Sequence, residues 1–597
     1  MQETETLLSI TQQRGARGLP LKNVYRMLYN RNLYLTAYGN LYSNRGAMTK
    51  GTTDETVDGM SLDKIDRIIT MVRDERYRWS PARRIHIPKP NGKTRKLGIP
   101  TWSDKLLQEV IRLILEAYYE PQFSRHSHGF RPGRGCHTAL TEIRHFWTGT
   151  HWFIEGDIAQ CFDSLDHSVL LRILSKNVHD NRFLRLIERL LKAGYLEDWK
   201  YGATLSGAPQ GAVLSPLLSN VYLNEFDRYI TETLIPAYTR GEQRRKNAEH
   251  QRICNRLCYL RRKKGHGAEV KALIQERRKL PSMDPYDPDY RRLWYVRYAD
   301  DHLLGLIGSK QEAEQIKRQI KEWLSDNLKL DLSEEKTLIT NATQGAARFL
   351  GYEIVNQQCQ TKCTNGQRSA NGRIALRVPG NVIQKKCQPY LRGGKPIHLP
   401  EREVESDYSI VQGYQQEYRG IVQYYLLATN VCHLDRLRWI MEVSLLKTLA
   451  AKHRSSVKAM AAKYRAMAIG PDGKSRRCLE VRIERDGRPT VKAQFGGLPL
   501  MRQDKAVLQD RPRLPNVHYT ELERRVRASI CEACGSTEHL EVHHIRKLND
   551  IKGRGGRKVP AWRKHMMAIR RKTLVLCSMC HHRLHAGQFD DNFGMRC

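Results

Sequence analysis

The sequence has no apolar run of about 18 residues, the length a helix needs to cross a bilayer, so no helical membrane span is expected. It also lacks a basic N-terminal leader. The opening MQETETLLSI is acidic rather than a basic signal sequence, so the chain is expected in a cytosol-like compartment: a bacterial cytosol or nucleoid, or an organelle interior. No self-similarity recurs at solenoid periods. Acidic residues are the scarce charge, 63 against 101 lysines and arginines, for a formal net charge of +38. That excess points to a polyanionic partner, foremost nucleic acid, because each neutralised phosphate releases a counterion. In a reducing compartment the 14 cysteines are not expected to form disulfides, so closely spaced pairs point to metal.

What is present suggests about three or four domains in 597 residues, with an ordinary soluble balance of 40% hydrophobic and 27% charged residues. Helical periodicity predicts helices over Leu62 to Val72, Lys105 to Tyr118, Val169 to Leu191 and Gln311 to Leu328, and nearly unbroken helix from Val411 to Tyr464. Short strand-like runs, Trp152 to Ile154 and Leu293 to Tyr298, each precede acidic residues, so the front of the chain reads as α+β. Arg240 to Pro281 is a basic insertion, and Gln357 to Gly372 a polar linker.

The sharpest chemical signal is Tyr298-Ala299-Asp300-Asp301, set between two apolar runs as strand, tight turn and strand. Asp157 follows a second strand. Phosphoryl transfer to a primer hydroxyl is well served by two metal ions about 3.5–4 Å apart, and Mg²⁺ prefers carboxylate oxygens. Asp157 and Asp300 can bridge two such ions, with Asp301 helping to hold the site. A hydrophilic hairpin turn is the alternative for an isolated Asp-Asp pair. It weakens because further pieces follow in order: the basic hairpin Arg83 to Pro100, able to grip a triphosphate, Ser127 to Gly133, Pro209-Gln210-Gly211, Ser215 to Leu218, Lys336, and Phe349-Leu350-Gly351-Tyr352.

This ordered set, with the entry block Asn44 to Gly51, resembles the reverse transcriptases encoded by group II introns over nearly the whole chain. The resemblance implies a right-hand polymerase. Lys89 and Arg95 would lie in its fingers against the phosphates of the incoming deoxynucleotide (dNTP). Phe162 would gate against a ribose 2′-OH, although a core aromatic is the plainer reading. Gln210 and Gly211 would pack by the new base pair, and Lys336 would approach the leaving phosphate. Phe349 to Tyr352 would grip the primer end. Ile158, beside Asp157, joins Asp157, Asp300 and Asp301 among the positions that would hold two Mg²⁺ ions.

From Gly413 to Tyr464 the helices are rich in cations, among them Lys447, Lys452, Arg454, Lys458 and Lys463, around a Leu and Ala stripe. Composition gives a basic helical thumb. The resemblance adds the maturase region, which binds intron RNA and assists splicing.

Near the C-terminus, Cys531-x-x-Cys534 and Cys577-x-x-Cys580 are separated by 42 intervening residues, a strong signature of one tetrahedral zinc site. Four cysteines complete such a site, so the nearby histidines need another role. His581 and His585, at i and i+4, share a helix face. With His543 and His544 they resemble the HNH nuclease motif, a ββα module gripping one divalent ion. The resemblance makes His544 the general base and His543, His581 and His585 the groups around the ion. Thr573 stands where the family often has asparagine, and Glu541 reads as structural. A zinc ribbon that only binds DNA is the alternative.

The expected organisation is a polymerase over 1–355 with the insertion at about 240–281, a linker and helical thumb over 356–480, a basic DNA-binding linker over 481–528, and a nuclease over 529–597. Together these imply a mobile-intron protein acting on intron RNA, target DNA and dNTPs. The rivals are an RNA-binding splicing factor with vestigial enzymatic domains and a retrotransposon polymerase without a ribozyme partner.

Overall fold

The computed structural model describes residues 4–589, apart from 45, 89–91, 93, 198–199, 203, 205, 208–210, 264–265, 360–361, 365–366, 369, 471, 486–487, 507, 509–520, 546–561, 563–565 and 567–570. Lys89 and Gln210 lie outside the described residues, as do 509–520 of the basic linker.

An antiparallel four-stranded sheet centres the first half, in the order Ile339–Asn341, Trp152–Asp157, Asp301–Ile307, Arg292–Tyr298. A second sheet joins the basic hairpin Ala82–Pro88 and Thr94–Ile99 to Tyr195–Glu197 and Lys200–Gly202. The helices around them follow from sequence. Ser61 caps Leu62–Arg73, its hydroxyl accepting from the Lys64 N–H at 3.1 Å, and Ile65, Ile68, Ile69 and Val72 form the buried face. Trp102–Tyr119 is buried on nearly every side, and its interior charges satisfy one another: Arg112 donates to Glu109 and Glu116 at 2.6 Å.

Three expectations change. The periodic stretch Val169 to Leu191 is two helices, His167–Asn177 and Asn181–Leu191. Val178–His179 between them pairs in parallel with Leu21–Lys22, and the Asp180 carboxylate both caps the second helix and accepts from the Tyr25 N–H at 2.9 Å. The basic insertion, to which the sequence reading assigns no element, is a packed helical pair, Ala248–Arg261 and Gly267–Lys279. The boundary at 480/481 cuts a sheet: Arg465–Ile469, Ser475–Arg485 and Arg488–Gly496 are antiparallel. Phe495 packs that sheet onto Tyr414 and Tyr418 of helix Asp407–Tyr424.

The helical region comprises Gly380–Cys387, Asp407–Tyr424, Asp435–Lys452 and Val457–Tyr464, and it builds a second core with the small sheet Ala347–Phe349, Tyr352–Asn356 and Ile374–Arg377. The C-terminal module is ββα: Leu540–His544 pairs with Thr573–Cys577, and Ser578–His585 follows. It is not set off at Ser529. Helix Glu521–Ala528 packs on Arg31–Leu41, and Leu522, Val526, Val542 and Val575 enter the main core. No helix among the described residues is long and apolar enough to cross a membrane.

Candidate active sites

Asp157 ends its strand directly opposite Asp301, the first residue of the next. Tyr298 also pairs with Asp301, so Ala299 and Asp300 form the two-residue turn between strands, with Ala299 at φ +56°. All three acids therefore share one end of the sheet. Burial and the neighbouring carboxylates raise Asp300 above the usual range and push Asp301 up to about 8. Among the described residues two sets of ligand atoms converge within 4.8 Å, both at the C-terminal module, and this acidic trio is neither of them. Lys336 Nζ lies 2.7 Å from Asp157, a bond that raises the lysine.

The turn is clamped from beneath by Arg297, which the sequence did not single out. Arg297 and Asp227 are both fully buried, paired at 2.6 and 2.7 Å. The same guanidinium donates to the Ala299 carbonyl at 2.7 Å, to Ser127 Oγ at 2.9 Å and to Asn220 Oδ1 at 3.2 Å. Asn220 in turn donates to the Gly129 carbonyl at 2.9 Å. A Cβ on Gly129 would stand 2.5 Å from the Ala299 nitrogen, so the Ser127 to Gly133 run reaches the turn only because glycine is there.

Phe162, half-buried, packs edge-on to Phe130 at 6.3 Å, and Phe130 touches Tyr298 at 6.3 Å. These rings border the acids. Gly211, at φ +101°, lies against strand Thr94–Ile99, where a Cβ would be 2.6 Å from the Gly98 carbonyl. Arg95 is exposed on that strand, facing Ile87 across the hairpin. Ile158 is buried and bridges to Leu332.

Phe349 and Tyr352 are buried at the ends of two paired strands, with Leu350 and Gly351 as their turn at φ +48° and +72°. The helical region holds this turn: Tyr424 OH donates to the Leu350 carbonyl at 2.7 Å and Tyr425 OH to the Gly351 carbonyl at 3.1 Å. The Leu350 N–H in turn bonds the Asp301 carboxylate.

The basic helices divide in two. Lys447 donates to the Pro396 carbonyl at 2.7 Å, and Lys452 pairs with Asp407 at 2.8 Å, so both are engaged within the protein. Arg454, Lys458 and Lys463 are exposed.

At the C-terminal module Cys531, Cys534, Cys577 and Cys580 form one converging set, a possible metal site. The other is His543, His581, His585 and, from the opposite end of the chain, Asp58. Glu541 lies 2.6 Å from His581 Nδ1 and orients that ring. Thr573 pairs with His544 across the strands, and its hydroxyl accepts from Arg525 at 3.1 Å. His544 is buried, which pushes it down to about 3, and its Nε2 is 2.6 Å from Tyr38 OH.

An acidic strand–turn–strand gripped by a helical region, joined to a ββα module with convergent histidines, defines a nucleic-acid enzyme with two centres. Residues 87–260 match the reverse transcriptase (RNA-dependent DNA polymerase) family, 375–476 the type II intron maturase family, and 531–581 the AI2M/AI1M-like HNH endonuclease family. The chain is 38% identical to the group II intron-encoded protein LtrA of Lactococcus lactis subsp. cremoris, over 94% of this chain and 95% of that protein. It is 31% identical to a putative COX1/OXI3 intron 1 protein of Saccharomyces cerevisiae, over 95% of this chain and 69% of that one. The chain belongs to the group II intron-encoded proteins. It is an RNA-directed DNA polymerase and a DNA endonuclease with a maturase region that serves RNA splicing.

Proposed function

We propose that the chain holds its intron RNA through the helical region, nicks one strand of a target duplex with the C-terminal module, and extends the new 3′-OH with dNTPs along the RNA. In this reading the sheet bearing Asp157 and Asp301 is the palm of a right-handed polymerase. The hairpin Ala82–Pro88 and Thr94–Ile99 forms the fingers, and the helices from Gly380 to Tyr464 the thumb. The cross-strand pairing of Asp157 with Asp301, with Asp300 in the adjoining turn, carries the polymerase half.

The donor set suits Mg²⁺: three carboxylates at one sheet end, two of them shifted upward by burial and by neighbouring carboxylates, a charge that cations would relieve. Asp157, Asp300 and Asp301, with Ile158 alongside, would hold two ions, which when bound neutralise the triphosphate and activate the primer hydroxyl. Lys336, on Asp157, neutralises charge at the leaving phosphates, with Arg95 and Lys89 on the fingers side. Phe162 crowds the 2′ position. Gln210 and Gly211 back the nascent pair. Phe349 to Tyr352 seat the primer terminus, and Arg454, Lys458 and Lys463 offer phosphate contacts on the thumb.

In the nuclease, His543, His581 and His585 hold a divalent ion, and His544 takes the proton of the attacking water. The four cysteines suit structural zinc. The Zn–S length of about 2.3 Å implies an S···S edge of about 3.8 Å, and Cys534 and Cys577 stand 3.7 Å apart.

Asp300→Ala should abolish primer extension on an RNA template while leaving RNA affinity intact. His544→Ala should slow nicking of end-labelled duplex by about 10²–10⁴-fold and spare extension of a supplied primer. Extension at a near-normal rate by Asp300→Ala, or full nicking by a folded His544→Ala protein, refutes the corresponding assignment.

A further inference from the structure

Asp58 stands 485 positions before His543, yet its carboxylate lies among the nuclease histidines: 2.9 Å from His585 Nε2, 3.3 Å from His543 Nδ1 and 3.4 Å from His581 Nε2. The His544 backbone N–H also donates to it, at 2.7 Å. The contact is built in. The Gly59 N–H donates to the Val542 carbonyl at 3.1 Å and the Val542 N–H to the Met60 carbonyl at 2.8 Å, so the loop after Asp58 extends the nuclease sheet. Arg527 bonds Asn32 at 2.8 Å beside it.

We infer that this N-terminal segment holds the nuclease in an off state, with Asp58 standing where a DNA phosphate must bind and Tyr38 capping the base. The inference rests on the roles proposed above for the histidines. Two features support it. A catalytic ion needs an open coordination position, and with Asp58 among the three histidines a fourth protein group takes one up. A carboxylate also presents two anionic oxygens, as a phosphodiester does, so it competes for the same place. Independently, a general base must reach its proton through a hydrogen bond, and His544 Nε2 is already bonded to Tyr38 OH at 2.6 Å. Tyr38 is fully buried and His544 6% exposed, and the Tyr38 and Tyr42 rings wall the imidazole at 5.9 and 6.0 Å, which leaves water little access to it. His585 is half-exposed and marks the side from which a phosphate approaches. Cleavage then requires Asp58, Gly59 and Met60 to leave the Leu540–His544 strand. Free protein is thereby restrained from nicking DNA indiscriminately.

The test uses the full chain with Mg²⁺ and an end-labelled duplex, with and without intron RNA. Asp58→Ala and, separately, Tyr38→Phe, which fills the same space without the hydroxyl, should raise RNA-free nicking by about 5–150-fold, the usual size of coupling between two sites. Primer extension from a supplied primer should not change, which verifies folding. The Val542 amide should exchange hydrogen faster in Asp58→Ala. Unchanged nicking in both variants and both arms overturns the inference. So does a loss of nicking in Asp58→Ala, which would make Asp58 a working ligand. Adding His544→Ala to Asp58→Ala keeps the two readings apart: if the gained nicking survives, His544 is not the base, yet the Asp58 latch stands.

Discussion

Replacing Arg297 with methionine separates what holds the polymerase turn from what stabilises the fold. The guanidinium is fully buried and makes five hydrogen bonds, two of them to Asp227, which is equally buried. Without it, Asp227 keeps only the Tyr295 hydroxyl, at 2.7 Å, among its side-chain partners here. Removing one partner of a buried ion pair costs about 3–5 kcal/mol, because the other charge is left uncompensated. For a cooperative unit of polymerase size that lowers Tm by about 6–20 °C. The double variant Arg297→Met/Asp227→Leu removes both charges and should recover most of this loss. It should not recover primer extension, because the Ala299 carbonyl still lacks its donor and the turn carrying Asp300 is no longer fixed. Calorimetry and primer extension on an RNA template, run on wild type and the two variants, decide it. A single variant within about 1 kcal/mol of wild type refutes the reasoning, as does a double variant no more stable than the single. Full extension by a restored double variant would show that Arg297 does not position the turn.

Phe162→Val should raise the ratio of ribo- to deoxynucleotide incorporation, and an unchanged ratio would leave Phe162 as packing against Phe130. Cys531→Ser removes one of the four converging thiols proposed to hold zinc, whose binding energy would also be folding energy. It should lower bound zinc and the stability of the ββα module, read by metal content and circular dichroism, with nicking falling as a consequence. Arg454, Lys458 and Lys463 changed together to alanine should weaken binding to structured RNA and reduce the salt slope by up to about 0.9 per lost contact, less on single strands. An unchanged slope places those cations in bulk solvent.

The polymerase hairpin was legible because apolar runs on both sides of Tyr298 to Asp301 fix strand, turn and strand locally. The facing of Asp157 and Asp301 was not, since register between residues 144 positions apart is set by the whole sheet. Arg297 lay one residue from the motif, but only burial against Asp227 reveals its task. The expected RNA-facing role of Lys452 came from charge on a helix, and periodicity reports a face without saying that Asp407 waits there. The linker reading of 481–496 passed over a local signal: Val481, Ile483 and Val491 alternate with charges on either side of Asp486-Gly487, a hairpin pattern. Asp58 carried no signal. Its neighbourhood, TTDETVDGM, looks like any acidic loop, and only tertiary packing brings it to the histidines.

Tyr424 and Tyr425, at the end of helix Asp407–Tyr424, hold the Leu350–Gly351 turn whose amide reaches Asp301. The last turn of this helix and the Asp301 carboxylate are thus two ends of one short lever. Anything that tilts the helix drags the turn, and with it a hydrogen bond on the Asp301 carboxylate.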